Sequence, residues 1–392
     1  MLGPPGQPVG RRYRVPAPAL SKVMRLRSAA VIALCMTCAA CGSSSSHARR
    51  TAQAPDGSSA PRASGASSGG GATGATPANP TLGATGVTNL ASGAHPLLGI
   101  GDNNIYLFAD PRFRALGITQ VRDDIPWNIL ANGGYPRRRL AAWLGDAHTE
   151  HLSVLISFDR SRQYKLPSVA AYSAAFLEFR RLYPWVTQFV TWDEANFFGE
   201  PTATHVSRAV RYYQALRRDC PSCTILAPDL LDLPRYAVPP VRYAREFIHD
   251  LGSQPPIWAL NDYVGANRMS TASTRQLLAA VTGKIWIVEV AGIISNGTRA
   301  VVASAQRIAH AADVDRFIVD DLGGLSPRIE HIYLYEWRAG TGRNLWDSAL
   351  ISADGQPRPG YDVLADTLAA WGIKPDCAIS TAPPACAASS RP

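Results

Sequence analysis

The stretch Gln188-Phe189-Val190-Thr191-Trp192-Asp193-Glu194-Ala195-Asn196 passes from an apolar, strand-like run straight into a carboxylate. A second stretch, Ile285-Trp286-Ile287-Val288-Glu289-Val290-Ala291-Gly292, has the same form. A carboxylate that closes a buried strand belongs at the rim of a parallel sheet, which in α/β barrels is where active sites are built. Two such carboxylates suggest acid/base or nucleophilic chemistry. An acid inside the barrel would be costly unless paired, so the rim is its natural place.

Outward from these stretches, residues 97–372 alternate short β-branched runs with longer amphipathic segments, the pattern of a parallel sheet covered by helices. Strands are expected at 97–101, 119–123, 153–158, 188–192, 224–228, 257–260, 284–288 and 331–335. Between them, residues 168–183 form a helix with Ala171, Ala175, Phe176, Phe179 and Leu182 on one face, stopped by Pro184. Residues 204–218 repeat the design through Val206, Val210, Tyr213 and Leu216. Eight strand–helix units over this length fit one (β/α)8 TIM barrel, typically about 250 residues. An open doubly wound sheet fits less well, because Gly99-Ile100-Gly101-Asp102-Asn103-Asn104 lacks the third glycine of a phosphate loop. Loops 295–299 and 313–328 are expected to shape the cleft.

Residues 1–40 carry Arg11, Arg12, Arg14, Lys22, Arg25 and Arg27 and no acid, followed by an apolar run over 29–40. This reads as a secretory signal peptide, with Met24 an alternative start. The apolar run is too short to span a bilayer. Cys38-Ala39-Ala40-Cys41-Gly42 resembles a bacterial lipobox, with Cys41 as the lipidated residue; plain secretion is the alternative. Loss of the leader removes six of the formal nine positive charges, and with them the main support for nucleic-acid binding. Residues 42–92 are Ser, Gly, Ala, Thr and Pro with little to bury, a flexible linker holding the barrel off the membrane. The expected location is exported, either membrane-anchored or secreted, and residues 373–392 form a Pro- and Ala-rich tail.

An export route makes disulfides plausible among Cys220, Cys223, Cys377 and Cys386. Cys220-Pro221-Ser222-Cys223 lies between a helix and a strand without a second pair or a nearby His, so a loop staple is favoured over a redox or metal motif. Cys377 and Cys386 are spaced to close a loop in the tail. The histidines show no pair at the spacing of a metal-binding helix, and no Gly-x-Ser-x-Gly frame occurs in the barrel segment. No metal and no cofactor is expected.

The frame Trp192-Asp193-Glu194-Ala195-Asn196 ending strand four, with Glu289 ending strand seven, resembles clan A glycoside hydrolases, most closely the family 39-like group. Gly117-Ile118-Thr119-Gln120-Val121-Arg122 with Pro126-Trp127, Trp258-Ala259-Leu260-Asn261-Asp262-Tyr263 and Tyr335-Glu336-Trp337 follow in the order of that group, so the resemblance spans nearly the whole domain. It implies Glu194 as general acid/base, Glu289 as nucleophile and Arg122 as the cation that keeps Glu289 ionised. An Arg beside one carboxylate lowers its pKa, while the other is raised by its charged neighbour. This chain departs from the pattern where Asp193 replaces the Asn that donates to the sugar 2-hydroxyl, Ala195 replaces Pro, Asn261-Asp262 replaces a His-containing pair, and Val288, Val290 and Ala291 flank Glu289.

Each candidate has a plainer alternative. Arg122 fits an ordinary ion pair with Asp123 or Asp124 as well as a site role. Trp127, Trp258 and Trp337 serve either as sugar-stacking platforms or as core, with Trp337 favoured as platform and Trp258 as core. Asn196, Asn261 and Tyr263 either bind sugar hydroxyls or satisfy barrel backbone. The leading expectation is an exported retaining glycoside hydrolase acting on a poly- or oligosaccharide. A catalytically silent carbohydrate-binding barrel and a transglycosylase are the alternatives.

Overall fold

The computed structural model describes residues 95–131, 133–296, 303–340 and 346–373. The leader, Cys41, the linker, Cys377 and Cys386 lie outside the described residues.

The strands are β1 (Leu97–Gly101), β2 (Gln120–Pro126), β3 (Ser153–Asp159), β4 (Gln188–Val190), β5 (Thr224–Leu226), β6 (Asp229–Leu231), β7 (Ile257–Asn261), β8 (Lys284–Val290), β9 (Ser295–Asn296), β10 (Ile329–Tyr335) and β11 (Trp346–Asp347). Nine of them form a parallel sheet in the order β5-β4-β3-β2-β1-β10-β8-β7-β6. The expected fifth strand is broken in two. Thr224 to Leu226 pair with β4, then Asp229 to Leu231 pair with β7. Pro228, between the halves, has no N–H to give to a ladder, and the Ala227 N–H crosses to the Ile257 carbonyl at 2.9 Å. The halves together close the sheet into a (β/α)8 barrel, with the short antiparallel pair β9–β11 beyond its rim.

Helices fill the connections. Val169–Leu182 starts where the Ser168 hydroxyl accepts from the Ala171 N–H at 3.1 Å. Its buried stripe is Tyr172, Phe176 and Phe179; Ala171, expected inward, faces water because the larger Tyr172 takes the barrel side. In Val206–Asp219 the expected residues Val206, Val210, Tyr213 and Leu216 are all buried.

Strand alternation divides the apolar residues between two cores. Val121, Val154, Ile156, Phe189, Trp258, Ile285, Ile287 and Ile332 face outward to the helices. Leu155, Val190, Leu226, Ala259, Trp286, Val288 and Tyr333 fill the barrel interior. The interior plug explains Gly99: a Cβ there would lie 2.5 Å from the Tyr333 ring. Gly99→Ala is expected to lower the unfolding free energy by about 1–3 kcal/mol through overpacking, read in urea denaturation. An unchanged midpoint would mean that the plug has slack.

At the N-terminal end of the barrel, Arg328 donates to the carbonyls of Leu278, Val281 and Gly283. Segment 313–328, expected to shape the cleft, ends at this lower end, while at its start the Asp315 carboxylate accepts from the Gly292 N–H at 2.8 Å just past β8. The helix Ala305–Phe317 and the turn Ile318–Leu322 carry the chain away from the rim and down to the start of β10. Among the described residues, no helix is long and apolar enough to cross a membrane.

Candidate active site

Above the apolar plug, the inner face turns polar. On β2, Arg122 and Asp124 alternate with outward Val121 and Ile125; on β3, Ser157 and Asp159 alternate with outward Ile156 and Phe158. Arg122 is the hub. Its Nη1 donates to Glu289 Oε2 at 2.5 Å, its Nη2 to Asp193 Oδ1 at 2.5 Å and its Nε to Ser157 Oγ at 3.0 Å. Asp123, one of the ion-pair partners considered from sequence, points outward to Arg139 instead.

Glu289 reaches this hub through a defect in the ladder. Ile332 and Leu334 of β10 face Ile287 and Val290 of β8, and Leu260 and Asn261 of β7 face Ile287 and Glu289. β8 thus carries one extra residue, a β-bulge, so Val288 and the following Glu289 both face inward while Val290 returns to the outer core. Without the bulge, strict alternation would aim Glu289 at the helices. The Tyr263 hydroxyl donates to its second oxygen, Oε1, at 2.9 Å.

Glu194 lies past the end of β4, in a loop pinned on both sides. The Asp193 N–H donates to the Phe158 carbonyl at 2.7 Å and the Ala195 N–H to the Asp229 carbonyl at 2.8 Å. Between them Glu194 adopts φ 43°, a left-handed conformation that costs a non-glycine residue about 1–3 kcal/mol and recurs at functional sites. Its side chain is buried.

Burial governs the acid–base character of the cluster. The Glu194 carboxyl is raised well above its ordinary pKa, first by burial and then by the charge of Glu289. Asp193 is also raised well above its ordinary value, by burial against the pull of Arg122. Glu289, expected to be lowered by Arg122, is raised: burial outweighs the guanidinium. Burial works against Arg122 too, but Glu289 and Asp193 outweigh it and hold the cation firmly charged.

Asp229, which sequence reading missed, is fully buried and pushed up to about 7 by burial, next to the Glu194 amide and the Asp193 carboxyl. Its sequence signal was Pro228-Asp229 at the end of the fifth strand. Asp124 and Ser157 were also missed; their inward phase on strands already expected could have identified them.

Burial likewise raises Asp123, Asp262 and Asp315 to about 7 and Asp159 to about 6. The native state therefore keeps protons that the unfolded chain releases near pH 4. The stability linked to these groups is full below that pH and is lost as pH rises through about 6 to 7. The melting temperature is expected to be higher at pH 5 than at pH 8 by scanning calorimetry; a rise toward pH 8 would contradict the shifts.

The other predicted residues part ways. Asn196 spends its amide on backbone, donating to Leu231 O and Val238 O at 2.9 and 2.6 Å and accepting from Leu231 N at 2.7 Å, so the backbone reading holds. Trp337, favoured as a platform, is fully buried. Its indole N–H donates to Asp110 at 3.2 Å and its ring packs edge-on against Phe113 and Tyr361; β10 ends two residues earlier, at Tyr335, so strand alternation does not set its direction. Trp258 is core against Phe247. Trp127 is half-buried against the main core. Exposed aromatics instead lie in the connections that follow β1, β3 and β4, as Tyr106 at the start of a short helix, Tyr164 and Phe198.

Asn261 sits on the inner face of β7, fully buried, with neither amide atom hydrogen-bonded. Cys220 and Cys223 form a disulfide. Among the described residues, no group of three or more His, Cys, Asp or Glu side chains is arranged to hold a metal ion.

No family model matches the chain. No curated protein matches it either. Solved structures do match. Xylanase 10B from Thermotoga petrophila RKU-1, solved with xylobiose, superposes with a TM-score of 0.53 at 10% identity over 71% of this chain and 95% of the xylanase. GH5_18 from Streptomyces cattleya, solved with GlcNAc, gives 0.51 at 15% identity over 74% and 82% of the two chains. A family 39 glycoside hydrolase from Bacteroides cellulosilyticus WH2 gives 0.45 at 14% identity over 72% of this chain and 65% of that one, too low a score to build on. At these identities the likeness is one of fold.

Proposed function

We propose that the protein is a glycoside hydrolase that cleaves a poly- or oligosaccharide with retention of configuration, in the manner of the family 39-like group. The observation that carries this reading is the unequal treatment of two carboxyls at the C-terminal end of one barrel. Glu289 is gripped by Arg122 and Tyr263, which favour its anion, while Glu194 is pushed toward its protonated form by burial and by the charge of Glu289. Enzymes assign acid and nucleophile by pushing paired carboxyls apart in this way.

In the first step, Glu194 gives its proton to the glycosidic oxygen, Glu289 attacks the anomeric carbon, and the carbon–oxygen bond to the leaving group breaks. In the second, Glu194 takes a proton from water, the resulting hydroxide adds to the anomeric carbon, and Glu289 leaves as carboxylate. A sugar acceptor in place of water would make the same intermediate a transglycosylase. The sugars named with the matched structures, xylobiose and GlcNAc, support a carbohydrate substrate.

Proton NMR of the first product from aryl glycosides tests the mechanism: a product anomer matching the substrate is expected, and an inverted first product would exclude Glu289 as nucleophile. Binding of polysaccharide with no turnover of any glycoside would favour the silent barrel, a reading supported by Asp193, whose hold on Arg122 competes with that of Glu289. We also propose export with lipidation at Cys41, on the basic and apolar leader and the lipobox-like frame, with the Cys220–Cys223 disulfide in support of an oxidising compartment.

A further inference from the structure

One guanidinium serves two anions here. The nitrogens of the planar Arg122 fork each hold a carboxylate at 2.5 Å, so Asp193 stands beside Glu289 as a neighbour on the same plane. The charges of Asp124 and Asp229 also reach Arg122. Arg160, whose charge reaches Glu194, is itself engaged by Glu200 and Asp159. Cleavage of a neutral sugar needs only two carboxyls, and each further anion beside Glu289 raises the cost of keeping it ionised. The surplus is concentrated on Asp193, whose side chain keeps 15% of its surface open.

Asn261 supplies an independent observation. Its Cα pairs in register with Glu289, it shares the inner face with Ala259, it is 0% exposed, and its donor and acceptor both lack partners. An unmet buried amide is costly, and a ligand offering both an acceptor and a donor would remove that cost.

We propose that the sugar bound next to the scissile bond carries a protonated amino group on the carbon adjacent to the anomeric centre, with Asp193 as its counter-ion and Asn261 as a hydrogen-bond partner of the same ring. The substrate class is then a 2-amino-2-deoxy glycoside with a free amine. The proposal rests on the hydrolase reading above. The position follows from the fork: a nucleophile meets the anomeric carbon, and its neighbour on the same guanidinium meets the substituent one bond away. A hydroxyl there can also donate to Asp193, but a charged N–H to carboxylate bond is roughly twice as strong as a neutral one. Acetylation would remove the charge.

The test compares nitrophenyl 2-amino-2-deoxy glycosides of the gluco and galacto series, in both anomeric forms, with their 2-hydroxy and 2-acetamido counterparts, using the full chain. The wild type is expected to show at least a tenfold higher kcat/KM on the amino compound, and Asp193→Asn to erase or invert that ratio. Turnover of the 2-hydroxy compound by the same variant shows that it is folded. Equal or better wild-type turnover of the 2-hydroxy or 2-acetamido compound overturns the proposal while leaving the hydrolase reading in place. So does a preference that survives Asp193→Asn.

Calorimetric binding of free glucosamine and galactosamine to Glu194→Gln protein, with and without Asp193→Asn and Asn261→Ala, separates the two readings. Binding that each substitution weakens, with no glycoside cleaved, sinks the hydrolase and keeps the amino-sugar site. Neither binding nor turnover sinks both.

Discussion

Replacing Arg122 with Met lowers the unfolding free energy by about 3–5 kcal/mol at pH 8 and removes measurable turnover. Arg122 is buried and touches Glu289, Asp193 and Ser157. Breaking a buried ion pair by removing one partner strands the other charge, which is the origin of that magnitude. Here two anions are stranded at once. They respond by taking up protons, so the loss is smaller at pH 5 than at pH 8, where protonation is harder. Arg122→Lys restores little, because a point charge cannot bridge two carboxylates as a planar fork does. Denaturation in urea at both pH values, with kcat/KM on an aryl glycoside, checks this. A stability loss below about 1 kcal/mol at pH 8 would mean that the carboxyls are already neutral and that Arg122 is not their counter-ion.

Glu289→Gln and Glu194→Gln differ in how they fail. Without a nucleophile there is no covalent intermediate, and removing a nucleophile elsewhere has cost up to roughly 10⁶ in kcat, so Glu289→Gln is expected to be inactive on every glycoside. General acid catalysis is worth about 10²–10⁴, and it matters only where the leaving group needs a proton. In kcat/KM, which reads the first step alone, Glu194→Gln therefore loses that factor on a sugar leaving group and much less on a dinitrophenyl leaving group, whose oxygen departs unaided. Glu194→Gln should not lose stability, since an amide of the same shape replaces a carboxyl that burial already disfavours as an anion, whereas Glu289→Gln takes a charge partner from buried Arg122 and is expected to lower the unfolding free energy. Equal losses on both leaving groups for Glu194→Gln would remove its assignment as the acid.

The barrel was legible because its information is local and periodic. Short β-branched runs, amphipathic helices such as Val206–Asp219 and Pro184 as a stop each act within a few residues. The two glutamates were legible for the same reason: each follows an apolar run. Other features depended on phase. One residue of slip flips a strand side chain to the other face, and the bulge in β8 turned Glu289 inward in this way; Trp337 became core because it lies two residues past the end of β10, where strand alternation no longer sets its direction. The break of the fifth strand at Pro228 has a sequence mark, but where its halves pair does not.

By its sequence alone, this protein is committed to alternating strands and helices, to two acids at strand ends and to an arginine on the second strand. Only the closed ring decides that Arg122 is shared between Glu289 and Asp193, that Asp229 joins them and that Asn196 belongs to the backbone. The physical reason is range. Propensity and periodicity are set by neighbours along the chain, whereas burial, charge sharing and proton affinity depend on groups brought together from strands far apart in sequence.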